Sequence, residues 1–95
     1  MRISDLAEVK ISFEEADFWV IRSHDVEMVG HPVRIFQEDY IGIKVVRTDI
    51  VIPSYLFYAF AHLHSKGVFK LIAHGTTKRV HIRVEDIKNI PLVLR

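Results

Sequence analysis

Gly75-Thr76-Thr77-Lys78-Arg79 packs backbone amides, two hydroxyls and two cations into five residues. All of these groups bond phosphate oxygens, and an arginine that enters the major groove can also hold guanine through two parallel hydrogen bonds. A second cluster, Arg22-Ser23-His24, follows the apolar run Phe18-Trp19-Val20-Ile21, a position from which a loop reaches outward. Together they define candidate DNA-contacting residues: Arg22, Ser23, His24, Gly75, Thr76, Thr77, Lys78 and Arg79. Composition alone favours a plainer assignment, in which both clusters are solvated turns.

Other chemistries find less support. The six histidines, His24, His31, His62, His64, His74 and His81, contain no H-x-x-x-H pair. On a helix His62 and His64 stand about 200° apart round the axis, too far to share an ion. The acid-x-lysine core of many restriction nucleases occurs twice, as Glu8-Val9-Lys10 and Asp86-Ile87-Lys88. A working site needs two carboxylates at adjacent strand ends to hold Mg²⁺, with the lysine beside the attacking water. Asp86 has a simpler use as the opening of a helical turn, where a carboxylate meets the positive end of the dipole. No nucleophile elbow, phosphate-binding glycine loop or serine-histidine-acid order is present. Neither a cofactor, a bound metal nor catalysis is therefore expected.

With no cysteine, disulfides, thiolate metal sites and a thiol nucleophile are all excluded, and a reducing cytoplasm is the natural compartment. The amino terminus Met1-Arg2-Ile3-Ser4-Asp5 lacks the long apolar run of a signal peptide, and no membrane span is expected. The formal net charge is only +1, which does not suit a polycationic nucleic-acid coat. Distribution carries the argument instead, because residues 66 to 83 hold Lys66, Lys70, Lys78, Arg79 and Arg83 without an acid.

The elements that must hold these clusters follow from periodicity. Ninety-five residues predict a single domain over 1–95, large enough for one core but with a small margin, so a homodimer or larger complex would help. Val9 to Phe13 alternates as a half-buried strand, after a lead-in carrying Ile3 and Leu6. Phe18 to Ile21 is apolar throughout and suits a strand buried on both faces. Gly30-His31-Pro32 interrupts the chain, Val33 to Phe36 suits a short strand, and Tyr40 to Val46 predicts another with a bulge or close approach at Gly42. Ser54 is an expected N-cap, and Leu56, Phe60 and Leu63 form the stripe of a helix over about 54–66. Val68 to Ala73 fits neither period. Val80 to Val84 predicts a strand with His81 and Arg83 on one side, Glu85 to Lys88 a helical turn, and Ile90 to Leu94 an edge strand holding Pro91. The fold class is α+β, a twisted mixed or antiparallel sheet with one main helix and short helical turns.

The order of these pieces resembles the target-recognition domains of type I restriction-modification specificity subunits. The resemblance rests on Ile50 to Pro53, Tyr55-Leu56-Phe57-Tyr58, Gly67, Gly75-Thr76-Thr77, Val80 to Ile82, Glu85-Asp86-Ile87 and Ile90-Pro91-Leu92. Upstream, Asp17 to Ser23 with Val29-Gly30 is similar to the family's aspartate, apolar strand, arginine and later glycine. Each piece is weak alone, and their shared order over about eighty residues carries the likeness. Two departures accompany it: the amino-terminal portion is compressed, and the chain stops at Arg95, where such a domain continues into a helical spacer that docks on the methyltransferase.

The resemblance implies a non-catalytic domain that binds double-stranded DNA, with a methyltransferase (modification) subunit as an expected protein partner. A second expectation, suited to the near-neutral charge and the absent spacer, is a phage or mobile-element protein of anti-restriction or anti-CRISPR type. Such a protein would mimic a recognition domain inside a host defence complex. A small Mg²⁺-dependent nuclease is the third.

Overall fold

The computed structural model describes residues 1–76 and 78–92; the predictions made for Thr77 and for Val93 and Leu94 lie outside it. Its centre is a strand of aliphatic residues with one glycine and one lysine. This strand, β5 (Ile41–Val45), is buried except at Lys44. It runs antiparallel between β1 (Ala7–Ile11) and β2 (Phe18–Val20), and β2 pairs in turn with β4 (Pro32–Val33), giving the order β1-β5-β2-β4. All three residues of β2 are buried, as a continuous apolar run requires. Asp17 fixes its entry, with its amide donating to the Ile43 carbonyl at 2.9 Å and its carboxylate accepting from the Val45 amide at 2.8 Å.

The helix α1 (Pro53–Ser65) covers one face of this sheet, burying Leu56 and Phe60. Phe18 meets the rings of Phe57 and Phe60 edge-on at 5.5 Å each, the favoured geometry for aromatic quadrupoles. Ser54 is not the N-cap. Ile52 takes that place and Pro53 opens the helix, where its fixed φ is already helical and its missing N–H costs nothing. On the opposite face Trp19 donates its indole N–H to the Phe13 carbonyl at 2.8 Å and packs edge-on against Phe36 at 5.8 Å. Gly42 is the close approach that its isolation in a strand implied. A Cβ there would lie 2.6 Å from the Phe13 side chain and 2.8 Å from that of Ala16.

The remaining elements build a second, smaller sheet. After α1 a left-handed Gly67 turns the chain into α2 (Val68–Ile72), which resolves the ambiguous stretch as helix and buries Phe69 against Phe60. Next come β6 (His74–Gly75), β7 (Val80–His81) and α3 (Val84–Lys88). The strand predicted over Val80 to Val84 is thus shorter than expected, because Val84 already belongs to α3. Residues just beyond β2 form β3 (Ser23–His24), and the three strands pair antiparallel in the order β3-β7-β6. The strand expected from Ile90 is a single bridge between Pro91 and Arg2 among the described residues, flanked by bonds from Ile3 to Ile90 and from Leu92 to Met1. Proline has no amide to extend such a ladder. A 3₁₀ turn at Ile3–Asp5 completes the set, and Ile3, Leu6, Val80, Ile82 and Ile87 join Phe18, Ile43 and Phe60 in one buried cluster. The class is α+β with one main helix, its strands divided between two antiparallel sheets rather than gathered in one.

Candidate nucleic-acid interface

Gly75 makes the turn after β6 possible. Its φ of +127° is a conformation L side chains rarely adopt, and a Cβ would sit 2.6 Å from the Arg79 carbonyl oxygen. The Thr76 amide donates to that same carbonyl at 3.1 Å, and the Thr76 hydroxyl lies 3.4 Å from the Arg79 amide. The turn is therefore closed by its own polar groups. Lys78 and Arg79 are exposed upon it.

Pairing across β7 then decides what stands beside the turn. In the antiparallel register Ser23 faces His81, and His81 faces His74. Residues opposite one another across a ladder share a face, so Ser23, His81 and His74 form one row. The two imidazole rings are 5.7 Å apart. On the other face Val80 and, next to it, Ile82 enter the core. Arg79 is brought across this row: its Nε donates to the Ser23 hydroxyl at 3.1 Å and its Nη2 to the Ser23 carbonyl at 3.4 Å. The two candidate clusters, more than fifty residues apart in sequence, are joined by a side chain from one to a hydroxyl in the other.

At the far end of the row Asp86 collects four donors. It accepts from the Arg83 amide at 2.9 Å, from Arg83 Nε and Nη2 at 3.3 and 3.2 Å, and meets His74 Nε2 at 3.1 Å. Partial burial pushes its carboxyl pKa up. The opposing pull of the Arg83 hydrogen bonds and charge, with the His74 bond, is larger in sum and holds it below the usual carboxylate range. Asp86 thus stays ionised and fixes both Arg83 and His74 at the edge of the row. Lys78, Arg79 and Arg83 are all exposed here, and Arg83 is paired with Asp86 at 3.2 Å.

Not every predicted residue joins in the same way. Ser23, Gly75, Thr76, Lys78 and Arg79 come together on the row or its turn. His24 lies on β3 beside Val80, and its Nδ1 accepts from the Asp25 amide at 2.8 Å, which ties it to the turn that follows. The Arg22 carbonyl accepts from the Ile82 amide at 2.9 Å just ahead of β3. Its side chain, alternating with Ser23, leaves in another direction and donates to the Asp39 carbonyl at 2.9 Å. His74, His81, Arg83 and Asp86 complete the face, although sequence reasoning did not place them in it. The alternation of His81 and Arg83 against Val80 and Ile82 was the available signal.

The two acid-x-lysine pieces lie on unlike elements. Glu8 pairs with Lys10 at 3.0 Å on β1, and a shallow groove of about 310 Å³ brings both near Lys88. Asp86 is turned instead to Arg83 and His74 from within α3. Among the described residues no group of three or more histidine, aspartate or glutamate side chains is arranged to hold a metal ion. Nor is any described helix long and apolar enough to cross a membrane.

The chain matches no protein-family model, no curated protein and no solved structure.

Proposed function

We propose that this protein is a non-catalytic DNA-binding domain of the target-recognition kind, which presents the outer face of β3-β7-β6 and the turn after β6 to a duplex. The observation that supports this reading is the bond from Arg79 to Ser23, which sets a cation of the turn beside a hydroxyl of β3, although the Arg22 side chain turns away to Asp39. Lys78 and Arg83 are suited to phosphates, which position a protein without reading sequence. Arg79, with two N–H groups spent on Ser23 and the remainder of its fork unclaimed among the described residues, is the side chain best placed to address a base edge. The row of Ser23, His81 and His74 supplies shorter polar groups beside it. The order of motifs shared with type I specificity subunits supports the same assignment, and a modification subunit is the protein partner it implies.

Fluorescence anisotropy of labelled duplexes tests the proposal. Two phosphate contacts give a log-log salt slope of roughly −2, so affinity falls about 12-fold between 50 and 200 mM monovalent salt. No binding to any of a varied duplex set at the lower salt concentration overturns the reading.

The net charge of +1 favours one other reading, an inhibitor that occupies a recognition domain's place in a host restriction or CRISPR assembly. Co-purification of such an assembly with the tagged protein, together with absent duplex affinity, selects it. Strong duplex affinity with no partner recovered dismisses it.

A further inference from the structure

His74 and His81 face one another across β6 and β7, with ring centroids 5.7 Å apart, on the outward row that ends at Ser23 and the Arg79 guanidinium. His74 is exposed and His81 half-buried, so an ion from solvent can reach both. Among the described residues only Nε2 of His74 is engaged in these rings, meeting Asp86 Oδ2 at 3.1 Å. With that N–H donating to the carboxylate, Nδ1 takes the second proton when the ring is charged. The other charged groups round the pair are cations or already matched. Lys78 and Arg79 stand on the turn, and Arg83 shares Asp86. His24 occupies the alternate register position on β3 and pairs with Asp25 at 3.6 Å, while Glu85 of α3 is matched by Lys88 at 3.7 Å. Asp86 remains a carboxylate through mild acid: partial burial raises its pKa, but the Arg83 hydrogen bonds and charge, with the His74 bond, lower it further. Charge added to the row between about pH 8 and 5 therefore comes from its imidazoles.

We infer that His74 and His81 form a subsite for one backbone phosphate of the duplex, filled when both imidazoles are protonated. The inference rests on the DNA-binding reading above and adds to it a ligand group and a pH dependence. A charged imidazole donates from both of its nitrogens. Two such cations facing one another across a ladder repel, and Asp86 beside His74 offsets only part of that repulsion. A phosphate bonded to both rings removes it. Charge-assisted N–H···O bonds run about 2.7–2.9 Å, which lets one tetrahedral phosphate reach both rings across the 5.7 Å between their centroids. A phosphodiester keeps its charge throughout this pH range, so the ligand's own titration contributes nothing. The linkage is reciprocal: protons tighten duplex binding, and duplex binding takes up protons. Affinity is therefore greatest in mild acid and is lost as pH rises and the imidazoles become neutral.

Fluorescence anisotropy of a labelled duplex at about pH 5.5 and about pH 8, each from about 50 to 200 mM monovalent salt, reads the pair. At the lowest salt, affinity is expected to be at least about tenfold higher at the lower pH, and the log-log slope to steepen by roughly one, the share of a single added phosphate contact. With His74→Gln and His81→Gln together the gain is lost, so that affinities at the two pH values agree within about twofold. His62→Gln, on α1, keeps the gain. Calorimetric titration of the wild type at about pH 6.5, in two buffers of unlike ionisation enthalpy, is expected to show net proton uptake on duplex binding, which a merely structural role for the pair would leave at zero. Equal wild-type affinity and slope at the two pH values overturns the inference and leaves the DNA-binding reading standing. A gain that survives the double substitution, or disappears equally with His62→Gln, overturns it as well, and so does binding without proton uptake. Absent duplex affinity at both pH values at the lowest salt removes the inference together with the reading on which it rests.

Discussion

At the scale of single residues the candidate interface depends on two side chains with opposite tasks. Arg79 is the link, and replacing it with alanine removes both its charge and the tie to Ser23. Duplex affinity is expected to fall at least tenfold, about 1.4 kcal/mol, and discrimination between duplex sequences to relax, as measured by titration of several duplexes. Ser23→Ala is the gentler partner. It leaves the charge but frees the guanidinium, so affinity falls while the salt slope stays. Asp86 is the counterweight. Its carboxyl is held below its unfolded value, so the stability it contributes is present above that unfolded pKa and is lost as pH falls through the folded one. Acid titration followed by chemical denaturation should show stability declining below about pH 4. Asp86→Asn should remove that part of the decline while costing roughly 2 kcal/mol at neutral pH, because Arg83 and His74 then face a neutral amide. Asp86→Asn should also raise duplex affinity or leave it unchanged, since it deletes the carboxylate paired with Arg83.

The elements differ in how plainly the sequence announced them. Strand β5 was legible as a strand because Tyr40 to Val46 is rich in β-branched residues, though not as the central one, and α1 was legible because Leu56, Phe60 and Leu63 keep the helical period. Phe60→Ala is accordingly expected to cost about 3–5 kcal/mol in urea denaturation, enough to threaten a domain of this size. The second sheet was far less legible. Its strands are two residues long, too short for any period to emerge, and they exist because Ser23, Gly75 and Val80 meet across the fold. The histidines were legible only as a count. Their arrangement, His31 against His64 at 4.9 Å and His74 against His81 at 5.7 Å, depends on tertiary approach that spacing does not encode. Helix α2 was ambiguous because Phe69 alone is buried, so a five-residue helix shows no stripe. The turn at Gly75 was the exception in this region, since a glycine before two threonines declares its chemistry locally. Why Arg79 reaches back to Ser23 was not readable there at all.

At the scale of the whole molecule the question is whether two sheets make one unit. Their buried residues argue that they do, since Val80 and Ile82 under the second sheet belong to the same cluster as Ile43 and Phe18 in the first. Gly30 sits at the joint. Its amide donates to the Ile21 carbonyl at 2.8 Å, where the chain passes between sheets, and its φ is +83°. A Cβ at this position would lie 2.2 Å from Cγ of Phe69, so α2 rests directly on the glycine backbone. Gly30→Ala combines left-handed strain with overpacking against a buried ring, together about 3 kcal/mol or more. For a domain of this length that lowers Tm by more than about 10 °C in differential scanning calorimetry. If the sheets share one core, the endotherm moves as a single peak whose calorimetric and van't Hoff enthalpies still agree. Should the mutation split the peak, with the turn after β6 losing structure first and the β5 amides keeping their exchange protection, the second sheet is a separately melting appendage. In that case the surface proposed to meet DNA is held less firmly than the first sheet.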